Sequence, residues 1–270
     1  MLPTAWVAYL EGLSPFTMGV VASLLAGLAA GLGALPVFVL RRVSQRVQDV
    51  LLGGAAGLML GATAFSLALP GLAAAERLHG GAVVPALVMG IGMMLGAFAL
   101  WGIHQFVPHE HFIKGRDTGA DALHLKRVWL FVIAITLHNL PEGLAVGVGF
   151  GGGDVANGTA LAVAIFLQNL PEGFAVALAL LATGQAPGTA VLLALGTGVV
   201  ETVGGLLGAG VVAVAAPLLP WGMAVAAGAM LFVISHEVIP ETHRNGYETP
   251  ATFSLTAGFA VMLLLDTVLG

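Results

Sequence analysis

Eight stretches of this chain stay predominantly apolar for twenty or more residues, at about 16–40, 51–75, 83–107, 128–151, 157–183, 188–215, 221–240 and 250–269. That is long enough for an α-helix to cross the roughly 30 Å hydrocarbon layer of a bilayer, at 1.5 Å per residue. In lipid every backbone amide and carbonyl must be satisfied within the protein, so runs of this kind fold as helices. The expected fold is therefore all-α and polytopic, with eight transmembrane helices. Composition agrees, because 58% of the residues are hydrophobic and 9% charged, against about 45–50% and 25% in soluble domains. The 39 glycines suit helices that pack closely in lipid. With no cysteine, neither a disulfide framework nor a thiolate metal site can form.

Charge placement orients the spans. Arg41, Arg42 and Arg46 follow the first, Lys114, Arg116, Lys126 and Arg127 follow the third, and Arg244 follows the seventh. Only Arg77 falls in a loop on the opposite side, so the positive-inside rule puts eight of the nine basic residues in the cytoplasm and both termini on the outer side. Residues 1–13 are too short to cross and lack the basic start of a signal peptide; they are expected at the interface. No linker divides the chain, which reads as a single transmembrane domain over 1–270, and the longest loop is the polar segment 108–127.

Two of the apolar runs are interrupted in the same way. HNLPEGLAV begins at position 138 and QNLPEGFAV at position 168, with seven identities in nine positions. The runs are consecutive and cross in opposite directions, so the duplication is an inverted repeat, an architecture of transporters whose substrate sits near the midplane. His138 and Glu142 lie one helical turn apart on a shared face, as do Asn139 and Glu142; Gln168, Asn169 and Glu172 repeat the pattern. Pro141 and Pro171 each remove an amide donor, which predicts a kinked helix beside a cavity. A third acid, Glu201, lies in the sixth span. Each such carboxylate costs roughly 2.5–3.5 kcal/mol at a helix centre, so the three cost about 8–10 kcal/mol unless compensated. No Lys or Arg lies deep in a span to compensate them. A cation from outside the sequence is the natural partner. Carboxylates, amide oxygens and one imidazole suit Zn²⁺, and also Cd²⁺, Fe²⁺ or Mn²⁺.

HNLPEG and QNLPEG in adjacent spans, the eight-span layout, and SHEVIPETH from position 235 resemble the ZIP (Zrt/Irt-like) divalent metal transporters, and the glutamine-bearing second motif resembles their bacterial GufA-like branch. The resemblance implies a three-plus-two-plus-three helical repeat, often dimeric, that moves Zn²⁺ and related metals into the cytoplasm across a bacterial inner membrane. It also implies a two-metal midplane site. One metal would be held by His138, Glu142, Gln168 and Glu172, with Met59 joining; its neighbour would be held by Asn139, Glu142, Asn169, Glu172 and Glu201. His236 and Glu237 would lie on the exit route, with His104, His109, Glu110 and His111 at the end of the third span. The family often has an acid near position 104, where this chain has histidine, and the long His-rich loop of many relatives is reduced here to His109, His111 and His124. The transported metal would be substrate, with no resident cofactor, and no nucleic-acid partner is expected.

Other functions carry their own marks. Cation/proton antiporters also use inverted repeats bearing Asn and Glu, although His138 favours a transition metal over an all-oxygen cation such as Ca²⁺. An intramembrane metalloprotease would need an H-E-x-x-H string with an activated water. HEVIPETH begins correctly and then has isoleucine where the second histidine belongs. An enzyme is accordingly not expected.

Overall fold

The computed structural model describes residues 12–40, 42–106 and 120–269. Among these residues the chain forms eight long helices: α1 (Pro15–Ala34), α2 (Gln45–His79), α3 (Val83–Phe106), α4 (Ala120–Gly151), α5 (Val155–Ala182), α6 (Pro187–Val214), α7 (Leu219–His243) and α8 (Glu248–Leu269). All but α4 are candidate spans by length and composition alone, and α4 carries the first motif inside 32 helical residues. The chain is an all-helical, multi-pass membrane protein.

The helix ends follow local chemistry that hydropathy does not register. Ser44 caps α2 by accepting from the Val47 amide, so the helix starts in the polar turn at Gln45, six residues before the apolar run. In the same way α4 begins at Ala120, so the last part of the segment expected as loop, 120–127, is helix. Asp154 caps α5 through the Asn157 amide. Both motif prolines lie inside helices that continue through them. The deviations from α geometry occur elsewhere, as π-turns at Thr63–Ala68 in α2 and Ile234–Val238 in α7. Each ends two residues before a proline, Pro70 or Pro240, whose missing amide leaves the carbonyl four residues back without its helical donor. A π-turn absorbs that mismatch without ending the helix.

The packing repeats itself. If α1 is exchanged with α6, α2 with α7, α3 with α8 and α4 with α5, the major contacts map onto one another: α1 packs on α5 as α6 packs on α4, and α2 packs on α8 as α7 packs on α3. The close approaches obey the same exchange. Gly173 lies against the Ala30 carbonyl and Gly143 against that of Glu201; Gly33 faces the Leu170 carbonyl and Gly204 that of Leu140; Gly27 and Gly198 face each other. At every one of these positions a Cβ would run into facing backbone, which is why glycine stands there. Helices drawn together this tightly hold α4, α5 and α6 as a unit and bring their polar residues to one place.

Candidate metal centre

The interior of this apolar bundle is polar where α4, α5 and α6 meet. His138, Asn139, Glu142, Gln168, Asn169, Glu172 and Glu201 are all buried, Glu142 and Glu201 completely. The two glutamates of the repeat interact electrostatically with each other, and Glu201 with both. Among the described residues no Lys or Arg forms an ion pair with any of the three.

These side chains engage one another. The Gln168 amide donates to Glu142 Oε1 at 2.5 Å, joining the two motifs directly. Asn169 Nδ2 donates to Glu201 Oε2 at 2.6 Å and to the Ala26 carbonyl of α1 at 3.0 Å. His138 Nε2 lies 2.6 Å from Glu237 Oε2 on α7. A carboxylate that close calls for a ring proton on Nε2, and Nδ1 is buried with no hydrogen-bond partner.

What remains unsatisfied is as telling. Nine buried polar atoms on the seven motif and Glu201 side chains have no hydrogen-bond partner among the described residues: His138 Nδ1, both Asn139 atoms, Glu142 Oε2, Gln168 Oε1, Asn169 Oδ1, both Glu172 oxygens and Glu201 Oε1. Buried polar groups are nearly always paired, and eight of these nine atoms can act as metal donors, the Asn139 nitrogen being the exception. As the side chains stand, no group of three His, Asp or Glu among the described residues converges tightly enough to hold an ion. Four of the prospective ligands are paired with one another instead, Gln168 with Glu142 and Asn169 with Glu201.

The remaining candidates fall differently. Met59 is buried in the same apolar core as Val146 and Ile165, and its carbonyl accepts from Thr63. Glu237 belongs to the central cluster through His138, which its place in SHEVIPETH did not reveal. Its neighbour His236 is exposed and stacks on Phe232, where it lines a groove of about 660 Å³ between α3 and α7 with Met93, Met94 and Ser235. Both residues lie in the π-turn at 234–238. His104 lies in α3 with its side chain outside the described part of the structure, and His109, Glu110 and His111 lie outside the described residues altogether.

Eight packed apolar helices around a buried carboxylate and amide cluster define a membrane-embedded protein built on paired helical units, the class to which many transporters belong. The family model of the ZIP zinc transporters matches residues 109–266, and the chain belongs to that family, in its bacterial GufA-like branch. It is similar to the zinc transporter ZIPB of Bordetella bronchiseptica, with 53% identity over 91% of this chain and 79% of the relative. It is 46% identical to the zinc transporter GufA of Myxococcus xanthus, over 93% of this chain and 99% of that protein. The zinc transporter ZIP11 of Xenopus tropicalis aligns over 97% of this chain and its own whole length at 32% identity.

Proposed function

We propose that this protein carries divalent transition metals, chiefly Zn²⁺, into the cytoplasm through the buried cluster on α4, α5 and α6. The observation that carries the reading is the set of nine orphaned polar atoms on the motif and Glu201 side chains, buried inside an apolar helical bundle. A cation there would neutralise three carboxylates and occupy donors that otherwise have nothing to bind. The names of the similar proteins support zinc as the substrate.

In this reading His138, Glu142, Gln168 and Glu172 hold one ion, with Met59 completing the shell. Asn139, Asn169 and Glu201 hold a second ion, with Glu142 and Glu172 bridging the two. The mixed nitrogen and oxygen set also accepts Cd²⁺, Fe²⁺ and Mn²⁺. Through Nε2, Glu237 sets the tautomer that aims Nδ1 at the metal, as carboxylates behind ligating histidines do. His236, and His104, His109, Glu110 and His111 beyond it, form the way out. The exchange of packing partners between α1–α3 and α6–α8, around α4 and α5, supports a three-plus-two-plus-three inverted repeat. The basic loops support termini that face outward from a plasma membrane, and the working unit is a homodimer.

The test is metal flux into proteoliposomes. Glu142→Ala and Glu172→Ala should each abolish Zn²⁺ uptake while the protein still inserts and folds. Near-normal flux in either variant would move the transport site away from this cluster.

A further inference from the structure

Fifteen residues before Glu172, at the start of α5, a second buried polar contact crosses between helices. Pro70 cannot supply the amide that would close on the Ser66 carbonyl, and Ser66 is fully buried. A buried carbonyl without a donor is costly. Here the donor comes from another helix: Asn157 Nδ2 reaches the Ser66 carbonyl at 3.1 Å. Asn157 is itself buried, and its backbone amide is pinned by Asp154 in the first turn of α5, so the carboxamide stands on a capped helix end. The Ser66 hydroxyl in turn donates to Asp266 on α8 at 3.2 Å. One serine in the π-turn thus ties α2 to both α5 and α8.

We propose that Asn157 is a positioning residue that latches α5 onto the π-turn of α2 and holds this end of the bundle shut over the metal cluster. The inference rests on the transport reading above and adds a regulatory contact to that site. Gln168 and Glu172 ride on the same helix, so a displacement at Asn157 is transmitted along it to them. A neutral amide–carbonyl bond has a modest net worth, which lets it break and re-form within a transport cycle. The sequence places such a carboxamide at one end only, because the residue twelve before Asn139 is Arg127, whereas the residue twelve before Asn169 is Asn157.

The chain contains no cysteine, so a single reporter has no background. Thr63→Cys puts a thiol at a buried position one turn from the latch on the Met59 side. Labelling by a charged maleimide is measured on the metal-free protein in lipid nanodiscs, where both membrane faces are accessible. Asn157→Leu, of similar size but without a donor, should label about tenfold faster than the parent. Asn157→Gln, which keeps a donor, should bring the rate back toward it. If Asn157→Leu does not fold, Asn157→Ala carries the same expectation. An unchanged rate in the donor-less variant overturns the latch. So does equal acceleration at a control cysteine placed at Ala190, buried in the separate core around Val37 and Leu180, because that would mark general loosening. The measurement uses no metal, so its failure leaves the zinc reading standing, and failure of the flux test leaves the labelling result intact.

Discussion

The close approach of α4 to α6 sets the distance between Glu142 and Glu201, and a single methyl group tests it. Gly204 and Gly196 lie in the same helix, α6, eight residues apart. A Cβ at Gly204 would strike the Leu140 carbonyl and the Leu144 amide of α4, all backbone, whereas a Cβ at Gly196 would meet nothing within 4 Å. Replacing glycine by alanine inside a helix gains about 0.8–1 kcal/mol on helix propensity alone. At Gly196 that gain stands unopposed. At Gly204 it is set against overpacking of about 1–3 kcal/mol, at the upper end because no flexible side chain can move aside. The net expectation is a loss of about 2 kcal/mol for Gly204→Ala and a gain of up to about 1 kcal/mol for Gly196→Ala. At about 2–4 °C per kcal/mol for a chain of this size, the two melting temperatures should separate by roughly 6–12 °C in opposite directions from the parent. Function should separate further, because a displacement of about 1 Å between groups that must bind one ion costs on the order of a hundredfold in rate. Thermal melts in detergent and Zn²⁺ flux in liposomes read both effects. A Gly204→Ala protein that melts and transports like the parent, or a Gly196→Ala protein as impaired as its neighbour, would refute the reasoning.

Other expectations follow from the cluster. His138→Ala should weaken Zn²⁺ and Cd²⁺ transport more than Mn²⁺ transport, which depends less on imidazole; equal loss of all three metals would remove a selectivity role. Glu237→Gln should weaken Zn²⁺ binding about 10- to 100-fold, because an amide behind Nε2 no longer fixes the tautomer that offers Nδ1; calorimetry that finds native affinity would place Glu237 outside the site. Equilibrium Zn²⁺ binding should weaken as pH falls from about 7 to about 5, since carboxylates and imidazole must shed protons to ligate, and a flat profile would contradict ligation by these groups.

Much of this architecture was legible in the sequence because lipid enforces it. A span must be apolar and long, so hydropathy located every helix, with ends within about eight residues, and it missed polar turns at either end, such as 45–50 and 76–79 of α2, 120–127 of α4 and 241–243 of α7. The duplicated motif was legible because both copies keep seven of nine residues. The matched packing of α1–α3 and α6–α8 was expected only through the family resemblance and not from the residues themselves, and the reason is physical. Its equivalent positions need only let backbones touch, so they survive as a scatter of glycines without shared side chains: Gly27 against Gly198, Gly33 against Gly204, and Ala30 where the partner helix has Glu201. Only one of those two helices supplies a carboxylate, so the site is chemically lopsided within a near-symmetric frame.

The contact between Glu237 and His138 was likewise not legible in the sequence, which placed Glu237 only on an exit route. Counted along an α-helix from His243, it falls near the end of a span beside His236, where polar residues are ordinary. Pro240 breaks that count. The π-turn before it spans residues 234–238, and within it His236 faces the groove beside α3 while Glu237 reaches His138. Pro70 works in the same way on α2, where the carbonyl it leaves without a helical donor becomes the acceptor for Asn157. In α2 the proline turns a backbone carbonyl from the helix's own ladder to a neighbouring helix, and in α7 the π-turn before the proline carries the glutamate that reaches His138. The two contacts that most directly tie α2 and α7 to the helices carrying the motif arise at these π-turns, where hydropathy and helical periodicity are both silent.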